Sequence, residues 1–537
     1  MQTEASPTKA PARTEEPQVP KRPLQLAAAA LVLGVAVDVL FNGHLPGISF
    51  PIWAALSTGA LLISARWEGV RADRSAQILV PAILFFSAMI AVRLEPMTLA
   101  LNLLSTLLLF GLWVRTLRDG RLPRFGWADF GLAWITVPLD SLLRPWTTLA
   151  TATRRVAGDR ATRSRGAAVV RGLLLALPVL IVLVALLTAA DMIFRDLVEN
   201  LLDWLDIEWI REAIGRSVVV GLSALFSLGA LVSALRDREP PELMGEEKPL
   251  VKPFLGFIET GVVLAAVNLV FAVFVAIQLR YLFGGEANIT AAGYTYSEYA
   301  RRGFGELVWA AFLSLGLVLA LAHLGRREAS RERRSFNGLG AGLIAMLGVT
   351  LASALMRLLL YENAYGFTRL RTYTHLFIFW LAALLVVVAV LLFRERLRVL
   401  APASVVAGFG FVATLGLINV DGFIAARNVA RLQASGELDV PYLAQLSGDA
   451  IPTLAASLTE GSPPELLAHL ACQRAIRTDQ QSDTSWQSSN WGRRAAAQAL
   501  DEILVKLRRY AVDREDLTWM VAGPGVEATP CLGQWVD

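Results

Sequence analysis

The sequence is poor in charge. Only 18% of its 537 residues are Asp, Glu, Lys or Arg, whereas 55% are hydrophobic. Soluble domains carry about 25% charged residues. This composition excludes a soluble enzyme, a disordered chain and a fibrous protein, and it predicts an integral membrane protein.

Catalytic and metal-binding signatures are also missing. The sequence contains no GxxxxGK[ST], HExxH or GxSxG motif. Its histidines are scattered without metal-ligand spacing, at His44, His323, His375 and His469. We therefore predict no metal and no other cofactor. The net charge of +4 comes without a separate basic face, so nucleic acid is not an expected partner.

Apolar segments of membrane-spanning length dominate the chain. A bilayer core needs roughly 17–25 apolar residues in a helix, because backbone polar groups in lipid must bond within the segment. Eleven segments meet or approach this length: 24–41, 48–65, 78–92, 97–114, 172–190, 217–235, 257–279, 303–324, 338–356, 374–393 and 400–420. The predicted fold is an all-α integral membrane protein, a polytopic bundle of about 11 helices (24–420) with a small helical extramembrane domain at its C-terminus.

Basic residues alternate strongly between successive loops. The loops 66–77, 115–171, 236–256, 325–337 and 394–399, together with residues 1–23, hold 30 Lys and Arg, and the intervening loops hold 10. Basic loops stay in the cytoplasm. We therefore predict a disordered cytoplasmic tail at 1–23, without the layout of a cleaved signal peptide, and an extracytoplasmic C-terminus. Of the 50 basic residues 45 are Arg, and Ala is abundant, which is typical of a GC-rich coding bias and gives a hint of a bacterial source.

Two segments between the predicted spans are not expected to cross the bilayer. Residues 127–146 are moderately apolar but contain Pro138 and Pro145, and we interpret them as an interfacial or re-entrant piece. In loop 191–216, apolar residues recur at helical spacing. This pattern predicts an amphipathic helix on the outer membrane face, or equally a helical extension that packs on the bundle.

The polar tail 421–537 is predicted to form an extracytoplasmic helical domain with a loose C-terminus. Ser462-Pro463-Pro464-Glu465 is typical of a helix start, and 494–511 carries an apolar stripe. Residues 479–491 look like a linker. Cys472 and Cys531 both lie in the tail, where an oxidising compartment would permit a disulfide; two unpaired thiols are the alternative.

Three stretches resemble a known family. They are EYARRGFGEL (298–307), YGFTRLRTYTHLFIFW (365–380) and 419–454, which begins NVDGFIAARNVARLQ. Together they are similar to domain-of-unknown-function family 4173, a bacterial multi-pass membrane family, and its relatives. The resemblance implies a bacterial cytoplasmic-membrane protein and carries no catalytic residues with it.

Ionisable residues near the outward ends of the spans could form a polar pocket. The candidates are Asp38, Arg301, Arg302, Glu306, Arg357, Arg369 and Arg371. Guanidinium groups there could hold an anion or a lipid headgroup bidentately. The alternative is that these arginines are interface anchors and internal ion-pair partners. From their predicted depth in the membrane, Glu306 is expected to form an internal ion pair with Arg357 or Arg301. Asn268, near a midplane, is expected to bond a neighbouring helix.

Three functions fit these features, and whether the protein is an enzyme stays open, with a non-enzymatic role favoured. The first is a sensing or scaffolding protein with an external interaction domain, whose partners are the lipid bilayer and other membrane or periplasmic proteins. The second is a transporter or binder of an anionic or lipid ligand. The third is a membrane enzyme acting on a lipid-linked substrate, with Asp38 or Glu306 as acid or base.

Overall fold

The computed structural model describes residues 20–118, 120–161, 191–203, 208–236, 253–282, 304–327, 329–436, 438–481, 485–515 and 518–531, with isolated positions between 180 and 190. Arg301, Arg302 and most of the predicted span 172–190 lie outside these residues, as does the side chain of Glu306.

The described part of the bundle consists of helices. In the first half these are α1 (Pro23–Phe41), α2 (Ser49–Glu68), α3 (Arg74–Gln77), α4 (Leu79–Ile90), α5 (Pro96–Thr116), α6 (Trp127–Ala161), α7 (Met192–Asp203) and α8 (Glu208–Leu235). In the second half they are α9 (Phe257–Leu282), α10 (Phe304–Leu324), α11 (Ser330–Tyr365), α12 (Arg369–Phe393) and α13 (Leu400–Ile418). The fold is that of an all-α membrane protein.

Seven helices in the described chain are long and apolar enough to cross a membrane. They lie within α1, α5, α8, α9, α11, α12 and the segment 397–418 that contains α13. Arg74–Ile90 and Trp309–Leu324 are shorter apolar helices. All nine overlap spans predicted from the sequence, because runs of apolar residues leave the backbone no partner except itself.

The helices form two lobes joined by α13. The first lobe contains α1, α2, α4, α5, α6 and α8, which share one apolar core around Trp113 and Leu61. The second lobe contains α9 to α12, which share another core around Leu343 and Val388. Because α13 packs against both α5 and α12, it connects the lobes.

Loop contacts define two ends of the bundle. At one end, Asp73 N–H donates to Leu117 O (2.8 Å) and the Arg118 guanidinium donates to Leu235 O (3.0 Å). At the other end, the loops 42–48, 91–95 and 366–368 contact the tail. We call this second end the tail-side end, and the end that contains Asp73 and Arg118 the opposite end.

Helix α6 is continuous over 35 residues, although Pro138 and Pro145 lie inside it. Each proline removes one helix hydrogen bond. Contacts along α8 and α5 support the helix, including a bond from Trp134 Nε1 to Leu108 O (3.3 Å). The structural element therefore extends well beyond the segment 127–146 that the sequence pattern singled out.

The segment 191–216 contains helix α7 and the first turns of α8. Met192 and Ile193 on α7 are both about 80% exposed, so this side of the helix presents apolar surface. Helix α8 begins nine residues before the predicted span at 217, so part of the loop extends that span.

The tail begins directly after α13, where Asn419 adopts a positive φ of 54° and turns the chain. Its helices are α14 (Val420–Ser435), α15 (Val440–Leu443), α16 (Ile451–Ala456), α17 (Pro464–Gln481), α18 (Trp491–Glu502) and α19 (Leu504–Leu507). They enclose a separate core that includes Leu454, Leu470 and Leu500.

Two expectations for the tail were wrong. The expected loose end is a three-stranded antiparallel sheet in the order β1 (Ala511–Glu515), β2 (Thr518–Gly523) and β3 (Val526–Pro530). The expected linker 479–491 contains the end of α17 and a short segment, 485–491, that bonds to the bundle. In both cases tertiary contacts order a polar stretch that has little helical pattern of its own.

Candidate functional site at the junction of bundle and tail

The centre of the junction is an ion pair between the first residue of α12 and the first turn of α14. Arg369 donates from Nε to Asp421 Oδ1 (2.8 Å) and from Nη2 to Asp421 Oδ2 (2.6 Å). Asp421 is fully buried. Its Oδ2 also accepts the backbone N–H of Ser447 (2.7 Å), so the carboxylate fixes a second tail segment.

Glu95, which precedes α5 in the first lobe, also lies beside Arg369. It caps α5 by accepting the N–H groups of Met97 (3.0 Å) and Thr98 (2.6 Å), an arrangement that satisfies donors at a helix start. Its Oε1 lies 3.9 Å from Arg369 Nε. The guanidinium thus stands between a carboxylate of the first lobe and a carboxylate of the tail, while belonging to the second lobe itself.

Asp449 forms the next contact between tail and bundle. Its Oδ2 accepts the backbone N–H groups of Leu94 (2.7 Å) and Glu95 (3.2 Å). Burial raises the pKa of Asp449 to about 6, and Asp421 adds to the rise, while those two N–H groups and the charge of Arg93 oppose it. Ionised Asp449 is therefore costly to bury at neutral pH.

Helix α18 approaches Asp449 closely, and this contact depends on the glycine at position 492. A Cβ at position 492 would lie 2.6 Å from Asp449 Oδ1 and 2.9 Å from Val92 O. Both distances are shorter than packed atoms allow, so a larger residue at Gly492 would push α18 away from the bundle.

Segment 485–491 provides a second set of tail contacts. The backbone N–H of Ile48 donates to Ser489 O (2.8 Å), and that of Trp491 donates to Ala91 O (2.7 Å). Asn490 starts α18 by accepting the N–H of Arg493, and its amide also donates to Ile90 O (3.0 Å). Asn490 is the kind of residue that commonly precedes a helix, and this was the signal in the sequence for a structured segment.

The described residues of the predicted outward pocket have different partners. Asp38 accepts from the Asn42 amide (2.9 Å). Arg357 donates to Gln278 Oε1 (2.5 Å) on α9, an oxygen that Ser353 also bonds.

Arg371 donates to Gly366 O and lies over the Tyr361 ring. Arg369 alone among the described arginines of that set reaches the junction. The other candidates, Arg301, Arg302 and the side chain of Glu306, lie outside the described residues.

Asn268 bonds across a helix interface. Its Nδ2 donates to Leu264 O in its own helix (2.7 Å) and to Leu339 O on α11 (3.1 Å). These contacts tie α9 to α11 in the second lobe, as expected for a polar residue that packs helices together.

Cys472 on α17 and Cys531 after β3 form a disulfide. Their Cα atoms are 5.8 Å apart, and both side chains are buried in the tail core. The bond therefore fixes the end of the sheet to the helical part of the tail.

The junction is suited to holding surfaces together. Arg369 neutralises Asp421, and backbone N–H groups hydrogen-bond Glu95, Asp421 and Asp449, so donors fix the position of all three carboxylates. Within the described ranges, no group of three or more His, Cys, Asp or Glu residues could hold a metal ion.

Comparison with known proteins places the chain in a family. The family described as "Domain of unknown function (DUF4153)" matches residues 80–457. The chain belongs to this family. The resemblance drawn from the sequence to family 4173 is thereby corrected to a different family of unknown function.

The matched region begins in α4 and ends just after α16, so it includes Glu95, Arg369, Asp421 and Asp449 but ends before the disulfide and the sheet. No curated protein and no solved structure matches the chain.

Proposed function

We propose that the chain is a non-enzymatic sensing or scaffolding protein of a bacterial cytoplasmic membrane, with the tail as its extracytoplasmic interaction domain. The observation that carries the proposal is the junction, where Arg369 of the second lobe lies between Glu95 of the first lobe and Asp421 of the tail. A change in the position of either lobe must alter the contacts of the tail, and binding to the tail must act on the lobes in return.

The proposed topology has eleven spans, with the N-terminus inside and the tail outside. The described parts of the basic loops 66–77 and 115–171 meet at the opposite end, beside the last residue of α8, which supports a cytoplasmic location for that end. Gly34 of α1 lies against the backbone of Val220 in α8, and Leu235 lies at the opposite end beside Arg118. Helix α8 thus approaches the opposite end, and in the proposed topology a crossing by the predicted span 172–190 precedes it.

The disulfide supports the same orientation. Disulfides persist in oxidising compartments such as the periplasm and are rare in the cytosol. A buried bond between Cys472 and Cys531 is therefore most consistent with a tail outside the cytoplasm.

Two measurements test the proposal, and the first uses reporter fusions to test the orientation of the tail. Alkaline phosphatase fused after Asp537 should be active and a fluorescent protein at the same place should be dark, because phosphatase requires export. The reverse pattern would overturn the orientation. This readout does not depend on any partner.

The interaction role is tested by photo-crosslinking in living cells. A photoreactive amino acid at Val505, an 80% exposed tail position, should give a discrete adduct with another protein. The matched control is the same probe at Ile258, which is 77% exposed on α9. A scan of exposed tail positions that yields no adduct beyond those of Ile258 would overturn the interaction role.

A further inference from the structure

Four exposed apolar side chains lie where segment 485–491 meets the bundle. Trp486 is 58% exposed and Trp491 is 70% exposed. Leu45 and Ile48, in the loop between α1 and α2, are also exposed and bond to the same segment through their backbone N–H groups. We call these four residues the seam patch.

Hydrogen bonds fix the position of the seam patch along the membrane normal, relative to the ends of the helices. Helix α2 has 20 residues, so its length of about 30 Å matches the hydrocarbon core. Ile48 immediately precedes α2 and is bonded to Ser489 O (2.8 Å). Trp491 is bonded to Ala91, the residue after α4. Gln487 also donates from Nε2 to Val39 O (3.2 Å), near the end of α1, which is one of the seven helices long and apolar enough to cross a membrane. These tethers place the segment at the level where α1 ends.

The residue types match the chemistry of that level. Trp is enriched at membrane–water interfaces, because its ring prefers an apolar environment while its N–H needs a polar partner. Arg494 is exposed and lies three residues after Trp491 on α18, on the same face of the helix. An exposed Arg beside Trp fits a phospholipid headgroup, whose phosphate the guanidinium can bond.

We infer that the seam patch is a lipid-contact surface, with Trp486 and Trp491 lying in the headgroup zone of the leaflet on the tail side. The bundle already places lipid close to this surface, because Leu45 lies four residues after the end of α1 and Ile48 immediately precedes α2. The tail is then held at two places: it binds the bundle at the Arg369–Asp421 junction, and it contacts the bilayer at the seam patch. Changes in the bilayer are thus the stimulus that this surface can transmit to the tail.

The lipid contact needs only a membrane-embedded bundle, whichever compartment holds the tail and whether or not it binds a partner. Its failure is therefore distinguishable from failure of the proposed function. Reporter fusions and crosslinks test the function, and probe depth tests the seam patch.

The experiment measures the depth of spin labels on the full chain in nanodiscs of phosphatidylcholine and phosphatidylglycerol. Trp486→Cys and Trp491→Cys are labelled separately with a nitroxide, and the native cysteines stay protected in their disulfide. The control is Val505→Cys, an exposed apolar position on α19, which contacts α17. Collision of each label with dissolved oxygen and with a water-soluble nickel chelate gives its depth.

Both seam labels should collide with the nickel chelate several-fold less often than the label at Val505. Equal chelate access at either tryptophan position and at Val505 would overturn the inference. If a tryptophan substitution prevents folding, Leu45→Cys tests the same patch from the bundle side. Its label must then show the same protection, and chelate access there equal to that at Val505 would again overturn the inference.

Discussion

Arg369 and Asp421 form a two-point ion pair although 52 residues separate them in the chain. The pair connects the start of α12 with the start of α14, across the turn at Asn419 that ends the last apolar helix. Asp421 is fully buried and also accepts the N–H of Ser447, so one carboxylate joins α12, α14 and the segment around Ser447.

Asp421→Asn should strongly destabilise the protein. The variant removes the charge that neutralises Arg369 and weakens one bond of the bidentate pair. Loss of one partner of a buried pair costs about 3–5 kcal/mol. We expect a lower thermal unfolding temperature in detergent and faster hydrogen exchange in the segment around Ser447.

The control for this change is Asp501→Asn. Asp501 pairs with Arg474 at 3.3 Å, but its side chain is 67% exposed. Exposed pairs contribute about 0–1 kcal/mol. Similar effects of the two variants would show that the Arg369–Asp421 pair does not hold the junction together.

Asp449 should make the stability of the junction depend on pH. Its pKa is about 6 in the folded protein, compared with an ordinary value of 3.8. Because the folded protein binds this proton more tightly, the group favours the folded state below pH 4. That advantage is lost as pH rises to about 6, by about 3 kcal/mol. Thermal unfolding measured between pH 4 and 7.5 should show this decline.

Asp449→Asn should flatten the decline while keeping an oxygen that can accept from Leu94 and Glu95. Its unfolding temperature should differ least from that of the native protein at acidic pH. An unchanged pH profile in the variant would contradict the assignment of the decline to Asp449.

The sequence predicted the elements of the bundle better than the contacts between them. Hydropathy located the apolar helices, and Pro464 was correctly expected near a helix start. The sheet was missed because β1 contains Asp513, Arg514 and Glu515, which give no regular apolar alternation. The Gly525 turn, with φ of 77°, was the available signal for a hairpin.

The junction was missed for a different reason. Arg369 was chosen by its depth in the membrane, whereas Asp421 and Asp449 lay in a polar tail where acids are common. Asp449 bonds to Leu94 and Glu95, more than 350 residues earlier in the chain, and Asp421 pairs with Arg369, 52 residues earlier. No local pattern reports such a contact.

The disulfide should stabilise the tail without being needed for the bundle. Cys472 and Cys531 close a loop of 59 residues, which corresponds to about 4 kcal/mol in the chain-entropy description. The double variant Cys472→Ser, Cys531→Ser should expose strands β1 to β3 to limited proteolysis while the bundle remains protected. Equal protease resistance of the tail in both proteins would contradict this role. Alkylation in intact cells should label neither native cysteine before reduction.

Gly34→Ala should loosen the contact between α1 and α8. A Cβ at Gly34 would lie 2.4 Å from Val220 O and 2.9 Å from Ala224 Cβ, so the two helices must separate. Overpacking of this kind typically costs about 1–3 kcal/mol. Gly59→Ala on α2 is the matched control, because no atom lies within 4 Å of a Cβ built there. We expect a lower unfolding temperature for the first variant only. Equal unfolding temperatures for the two variants would mean that α1 and α8 do not pack backbone to backbone at Gly34, and the direction assigned to α8 would lose its main support.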